Sequence, residues 1–169
     1  MKKSIIVTLL IIALVGGMFA LTGCSKGGNV LKAEYSGKEY QLSYKIGAGD
    51  EITDDYADYE DMVSIKNAEK NYTVDLALYI DYKDAYEEGK TGAKENLEDY
   101  AEVKIGKYDA YTGYSGPGEF FIDILLDTSD DVYKTAQVTL LVNGEATKED
   151  VQELYKSEDV QSIINSINF

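Results

Sequence analysis

The 169-residue chain contains no histidine and one cysteine, Cys24. Without an imidazole it has no Ser–His–Asp or Cys–His nucleophilic arrangement and none of the usual His-based zinc sites. Its titratable side chains are mostly carboxylates: 31 Asp and Glu against 16 Lys and Arg, a formal net charge of −15. Two carboxylates about 5–9.5 Å apart are enough to hydrolyse a glycosidic bond. In a chain this acidic, such pairs arise by chance, so the count singles out none. Gly116-Pro117-Gly118 is not a phosphate loop: the proline lacks an N–H, no lysine follows, and a strand-like run comes next where a helix would be needed. No catalytic residue is assigned, and the chain is not expected to be an enzyme.

Two groups of residues could bind. The first is the acidic stretch Asp50, Glu51, Asp54, Asp55, Asp58, Glu60 and Asp61. Calcium takes six to eight oxygen ligands, and extracellular modules bind it weakly. Asp54, Asp55 and Asp58 are therefore weak calcium candidates. They lack EF-hand spacing, a solvated acidic loop is the plainer reading, and no metal site is assigned. The second is tyrosine, fifteen against four Phe and no Trp. Tyr56 and Tyr59 fall in the acidic stretch, and Tyr108, Tyr111 and Tyr114 cluster around a hairpin. A tyrosine offers an apolar ring and a polar tip, which suits protein or glycan contacts; its ordinary use is at half-buried strand positions. An exposed Tyr108/Tyr111/Tyr114 group would be the candidate partner-binding patch. The acidity argues against nucleic acid, which needs a basic footprint, and against attraction to anionic lipid.

The N-terminus is more specific. Lys2 and Lys3 precede an uncharged run of 20 residues, Ser4 to Gly23, and polar Ser25 and Lys26 follow Cys24. The length would suffice for a membrane span, but a positive start, an apolar stretch and small residues before a cut site form the pattern of a removed secretory signal. Leu21-Thr22-Gly23-Cys24 resembles the lipobox of bacterial lipoproteins. The resemblance implies cleavage before Cys24, a diacylglycerol thioether on Cys24, and attachment to the extracytoplasmic face of a cell membrane; no other cofactor is expected. The chain then divides into a signal peptide (1–23), a lipidated tether (24–29) and one α+β domain (30–169). Five or six extended tether residues reach only about 20 Å, which keeps the domain near the membrane.

Along the domain, Lys32–Tyr35 and Glu39–Ile46 flank Ser36-Gly37-Lys38 as a hairpin. Gly47–Asp61 has no periodicity and is expected to be loop. Tyr72, Val74, Leu76, Leu78 and Ile80 alternate as a half-buried strand. From Asp81 to Glu102 the apolar residues recur at three and four, and Gly89 and Gly92 predict a kinked helix or two short ones. A hairpin from Glu102 to Tyr114 turns near Gly106-Lys107. Gly116-Pro117-Gly118 turns into the strand Phe120–Leu126, Thr128–Asp131 turns again, and Ala136–Val142 is the last strand. Thr147 with Asp150 resembles a capping box, and Ser157 caps a helix whose Val160, Ile163, Ile164 and Ile167 form one stripe.

That order of elements, closed by Val160-Gln161-Ser162-Ile163-Ile164-Asn165-Ser166-Ile167, resembles the PsbP-like fold. The resemblance implies a central antiparallel sheet flanked by helices, an α/β/α sandwich, and a binding or assembly role. Without histidine, the metal-linked sites of the photosynthetic members do not carry over. The function expected is non-catalytic binding to another envelope protein, with a weak calcium- or glycan-binding surface module as the alternative.

Overall fold

Turn chemistry and two-residue alternation account for most of the backbone. The computed structural model describes residues 28–129 and 131–169, in which nine strands and three helices form. The first hairpin pairs β1 (Asn29–Tyr35) with β2 (Lys38–Tyr44). Its two turn residues, Ser36 and Gly37, have φ of 52° and 76°. Positive φ at both central positions is the type I′ geometry that matches strand twist.

The remaining strands make a seven-stranded antiparallel sheet in the order β3-β4-β5-β9-β8-β7-β6. These are β3 (Glu51–Ile52), β4 (Met62–Asn67), β5 (Tyr72–Tyr82), β6 (Glu98–Ile105), β7 (Tyr108–Gly116), β8 (Glu119–Asp127) and β9 (Val132–Val142). Between β7 and β8, Pro117 and Gly118 occupy the middle of the turn, with Gly118 at φ 72°. A proline followed by a positive-φ glycine is the type II arrangement.

Because strand side chains alternate, the sheet has two unlike faces. Even-numbered residues of β5, β7, β8 and β9, including Val74, Leu76, Ile122, Ile124, Val138 and Leu140, point into the core. There they meet Leu31, Tyr40, Leu42 and Tyr44 of the hairpin. They also meet Val151 of α2 (Lys148–Lys156) and Val160, Ile163 and Ile164 of α3 (Glu158–Ser166). Both C-terminal helices start as expected: Thr147 and Asp150 form a reciprocal capping box, and Ser157 accepts from the Val160 N–H. The chain ends on the hairpin's outer edge, where Asn168 and Ser43 exchange main-chain hydrogen bonds of 3.0 and 2.9 Å.

The odd-numbered face is covered by α1 (Lys83–Asn96), whose Tyr86 packs on Tyr111 of β7 and Tyr133 of β9. An antiparallel sheet with helices in one α+β domain is thus present. Three local expectations are corrected. The helix runs unbroken through Gly89 and Gly92, because both face outward and cost only propensity, and it ends at Asn96 instead of Glu102. The stretch Glu98–Ile105 is strand, held by its pairing to β7. The supposed loop Gly47–Asp61 contains the two-residue β3, and β4 follows it directly.

Candidate functional site

Exposed apolar side chains that gather into one patch mark a candidate interaction surface, whereas single ones are ordinary. Among the described residues four large ones stand out: Val30 at 45% exposure, Ile52 at 42%, Tyr59 at 59% and Tyr82 at 63%. Val30, Ile52 and Tyr59 line one groove of about 500 Å³, with Tyr44, Tyr56, Met62 and Val63 beneath and beside them. Its walls are the first residues of β1, the start of β4 and the acidic loop 53–61. The loop is folded by two successive turns, Ala57 N–H to Asp54 O (3.2 Å) and Tyr59 N–H to Tyr56 O (2.9 Å), and is tied to β1 by Lys32 N–H to Glu60 O (2.8 Å). These bonds bring Tyr56 and Tyr59 edge to face at 6.5 Å. The Tyr56 hydroxyl donates to Asp75, and the negative charge of that carboxylate, with burial, raises the pKa of the phenol. Asp54 and Glu60 supply an acidic rim, and Lys32, paired with Glu39 at 3.2 Å, is the one cation lining the groove among the described residues.

Asp50 anchors this loop from below. Its carboxylate accepts from the Gly47 N–H (2.7 Å), Asn67 Nδ2 (2.9 Å) and the Tyr72 hydroxyl (2.7 Å). It is therefore a buried structural acceptor and not part of a solvated stretch. Asp50→Ala would strand the Asn67 and Tyr72 donors in the interior, at about 1–3 kcal/mol for each unpaired group. The expected result is a fall of about 2–4 kcal/mol in urea-unfolding stability. Unchanged stability would show that the three bonds contribute nothing.

The calcium candidates are not assembled. Asp54, Asp55 and Asp58 lie exposed along the loop, Asp55 Oδ2 accepts from the Thr53 hydroxyl at 2.6 Å, and among the described residues no three carboxylates converge on a metal-sized space. Two-residue turns spread their side chains outward.

The tyrosine patch is also corrected. Tyr108, Tyr111 and Tyr114 are 9%, 3% and 8% exposed, and they point to opposite faces of β7. Tyr108 and Tyr114 enter the main core, Tyr114 meeting Phe120 at 4.9 Å, while Tyr111 lies under α1. Strand alternation divides residues spaced by three between faces. They form no exposed group.

On that second face the sequence reading missed Asp123. It is 2% exposed and accepts from the Tyr111 hydroxyl (2.8 Å) and Gln137 Nε2 (3.3 Å) through Oδ2, while Oδ1 finds no hydrogen-bond partner among the described residues. Burial pushes its carboxyl up to about 6, against the opposing pull of those two donors. A signal was available: Phe121, Asp123 and Leu125 share a face, so a charge sits between two apolar residues.

Leu21, Thr22, Gly23 and Cys24 lie outside the described residues, as does the signal peptide. No helix among the described residues is long and apolar enough to cross a membrane. No family model and no curated protein matches the chain. Among solved structures, a protein from Bacteroides thetaiotaomicron matches at 12% identity and a TM-score of 0.46, over 75% of this chain and 44% of that one. This chain therefore spans less than half the length of that protein, and the likeness carries no functional argument.

Proposed function

We propose that this chain is a lipid-anchored extracytoplasmic protein, with diacylglycerol on Cys24, that binds a segment of another envelope protein in the Tyr56/Tyr59 groove without catalysing a reaction on it. The observation that carries the reading is the gathering of Val30, Ile52 and Tyr59, exposed apolar side chains from three separate elements, around one acid-rimmed groove. The groove opens beside the first residues of β1, and four extended residues from Cys24 to Gly28 span about 14 Å. An anchored domain would hold it close to the bilayer, within reach of the juxtamembrane part of a neighbour. The acidic rim and the net charge of −15 favour a segment in which lysine or arginine is interleaved with apolar residues. The resemblance to PsbP-like lipoproteins supports the same assembly role.

The test is a cross-linked pull-down of tagged full-length protein from its own membranes, with Cys24→Ala and the double variant Ile52→Asp, Tyr59→Ser as comparisons. Ile52 and Tyr59 are exposed, so folding of the double variant should survive. One envelope protein recovered with the parent and lost from both variants is expected. Recovery undiminished by the double variant would reject the groove.

A further inference from the structure

A buried carboxylate lies on the sheet face that α1 covers. Asp123 lies at the centre of the odd-numbered sheet face, flanked across the strands by Tyr111 and Gln137. Around it, Tyr111 meets Tyr86 at 6.2 Å, Tyr100 at 5.9 Å and Phe121 at 6.1 Å, and Tyr86 meets Tyr133 at 5.4 Å. A buried carboxylate oxygen without a hydrogen-bond partner among the described residues therefore lies on a sheet face where aromatic rings pack against one another under α1. Leaving such an atom buried is costly, and a native structure that keeps one calls for a reason. Further charged or titratable groups bearing on it are Asp81 and Tyr79 of β5.

The helix that covers this face is lightly held. Tyr86 is the side chain it buries, no side-chain hydrogen bond caps its start among the described residues, and Gly89 and Gly92 lie with nothing near their missing Cβ atoms. Its pairing to the sheet includes the exposed Lys90–Glu102 bridge at 2.8 Å, the kind of contact that contributes at most about 1 kcal/mol.

We propose that this covered face, with Asp123 at its centre, is a binding site for a small alkylated ammonium ion, such as a choline head group, and that Tyr86 is the plug that α1 withdraws to admit it. The chemistry selects that ligand. Aromatic faces and a single carboxylate are the elements that recognise quaternary ammonium. A hard cation such as calcium needs six or more oxygens. A lysine or arginine head brings three or five N–H donors to a place with one vacant acceptor. A trimethylammonium head has no donor to leave unsatisfied, and its bulk resembles that of the phenol ring it would replace. The acidic surface draws cations toward it.

The experiment is a calorimetric titration of the full-length chain in detergent with choline chloride at pH 7.5, using sodium chloride at equal ionic strength as the blank. Saturable binding is expected for the parent. Tyr86→Ala, or Tyr86→Leu should the alanine form not fold, removes the competing ring and should bind at least about tenfold more tightly, because the closed state no longer taxes the affinity. Asp123→Asn, folded by circular dichroism, should show no saturable heat. Binding to the parent should also weaken below pH 6, where the cation must displace a proton. Choline binding by Asp123→Asn equal to the parent's would overturn the proposal, as would no binding by either the parent or the folded Tyr86 variant.

Discussion

A chain carrying Tyr108→Ala, Tyr111→Ala and Tyr114→Ala together should not fold, and Tyr111→Ala or Tyr114→Ala alone should cost about 3–5 kcal/mol, the usual loss for truncating a buried aromatic ring. All three rings are nearly inaccessible. Tyr114 packs on Phe120, which in turn contacts Tyr155 of α2 at 4.8 Å, so its loss opens the junction between sheet and helix. Tyr111 contacts the rings of Tyr86, Tyr100 and Phe121 on the far face, and its hydroxyl is one of two donors to Asp123. Tyr108 packs beside the chain end, its hydroxyl accepting from the Phe169 N–H at 3.3 Å. Domains of this size are stable by about 5–15 kcal/mol, so three such losses exceed what is available. Far-UV circular dichroism with urea titration measures it. A triple variant that stays folded within about 1 kcal/mol of the parent would return these residues to the surface and undo the account of the sheet's two faces.

Asp123→Asn should gain stability relative to the parent as pH rises, by roughly 3 kcal/mol between pH 4 and pH 8. In the folded chain burial raises the carboxyl from 3.8 to about 6. Between those values the native state holds a proton that the unfolded state has released. Stability from this group is therefore fully present at low pH and is lost as pH passes upward through about 6. Asparagine keeps the shape and an acceptor for Tyr111 and Gln137 but cannot ionise. Its amide nitrogen takes the vacant position at a cost that does not vary with pH, so the difference between the two proteins isolates the titration. Other acids act with the opposite sign. Asp127, held down to about 2 by hydrogen bonds from Ser129 and by the buried Lys134 at 3.0 Å, loses its contribution as pH falls, and it does so equally in both proteins. Parallel pH–stability curves for the two would mean that Asp123 titrates in the folded chain as it does in the unfolded one.

The parts of the fold legible in the sequence are those governed by local rules. Ser36-Gly37 and Pro117-Gly118 announce their turns because few residue pairs accept those backbone angles, and the Thr147/Asp150 box announces its helix because both partners lie within four residues. The length of α1 was not legible. Leu97 and Tyr100 continue its helical spacing, and only pairing with β7, a long-range contact, takes Glu98–Ile105 into the sheet. β4 was legible in principle, since Val63 and Ile65 alternate with Ser64 and Lys66, but the acidic residues before it obscured the pattern. For the site, Tyr56 and Tyr59 stood out by type, yet their role depends on Val30 and Ile52, brought beside them by the β3–β4 pairing and the Lys32–Glu60 bond. The Tyr108/Tyr111/Tyr114 spacing suggested a patch that alternation along β7 forbids.

The groove is tested most directly by placing a photo-activatable phenylalanine analogue at position 59 of the full-length protein in its native cells, with position 82 as a control. Tyr82 is as exposed as Tyr59 but lies outside the groove. The expected result is one cross-linked envelope protein at position 59, absent at position 82 and absent when Cys24→Ala removes the proposed lipid anchor. Equal cross-linking at both positions, or a product at 59 that persists without the anchor, would contradict membrane-proximal capture through the Tyr56/Tyr59 groove.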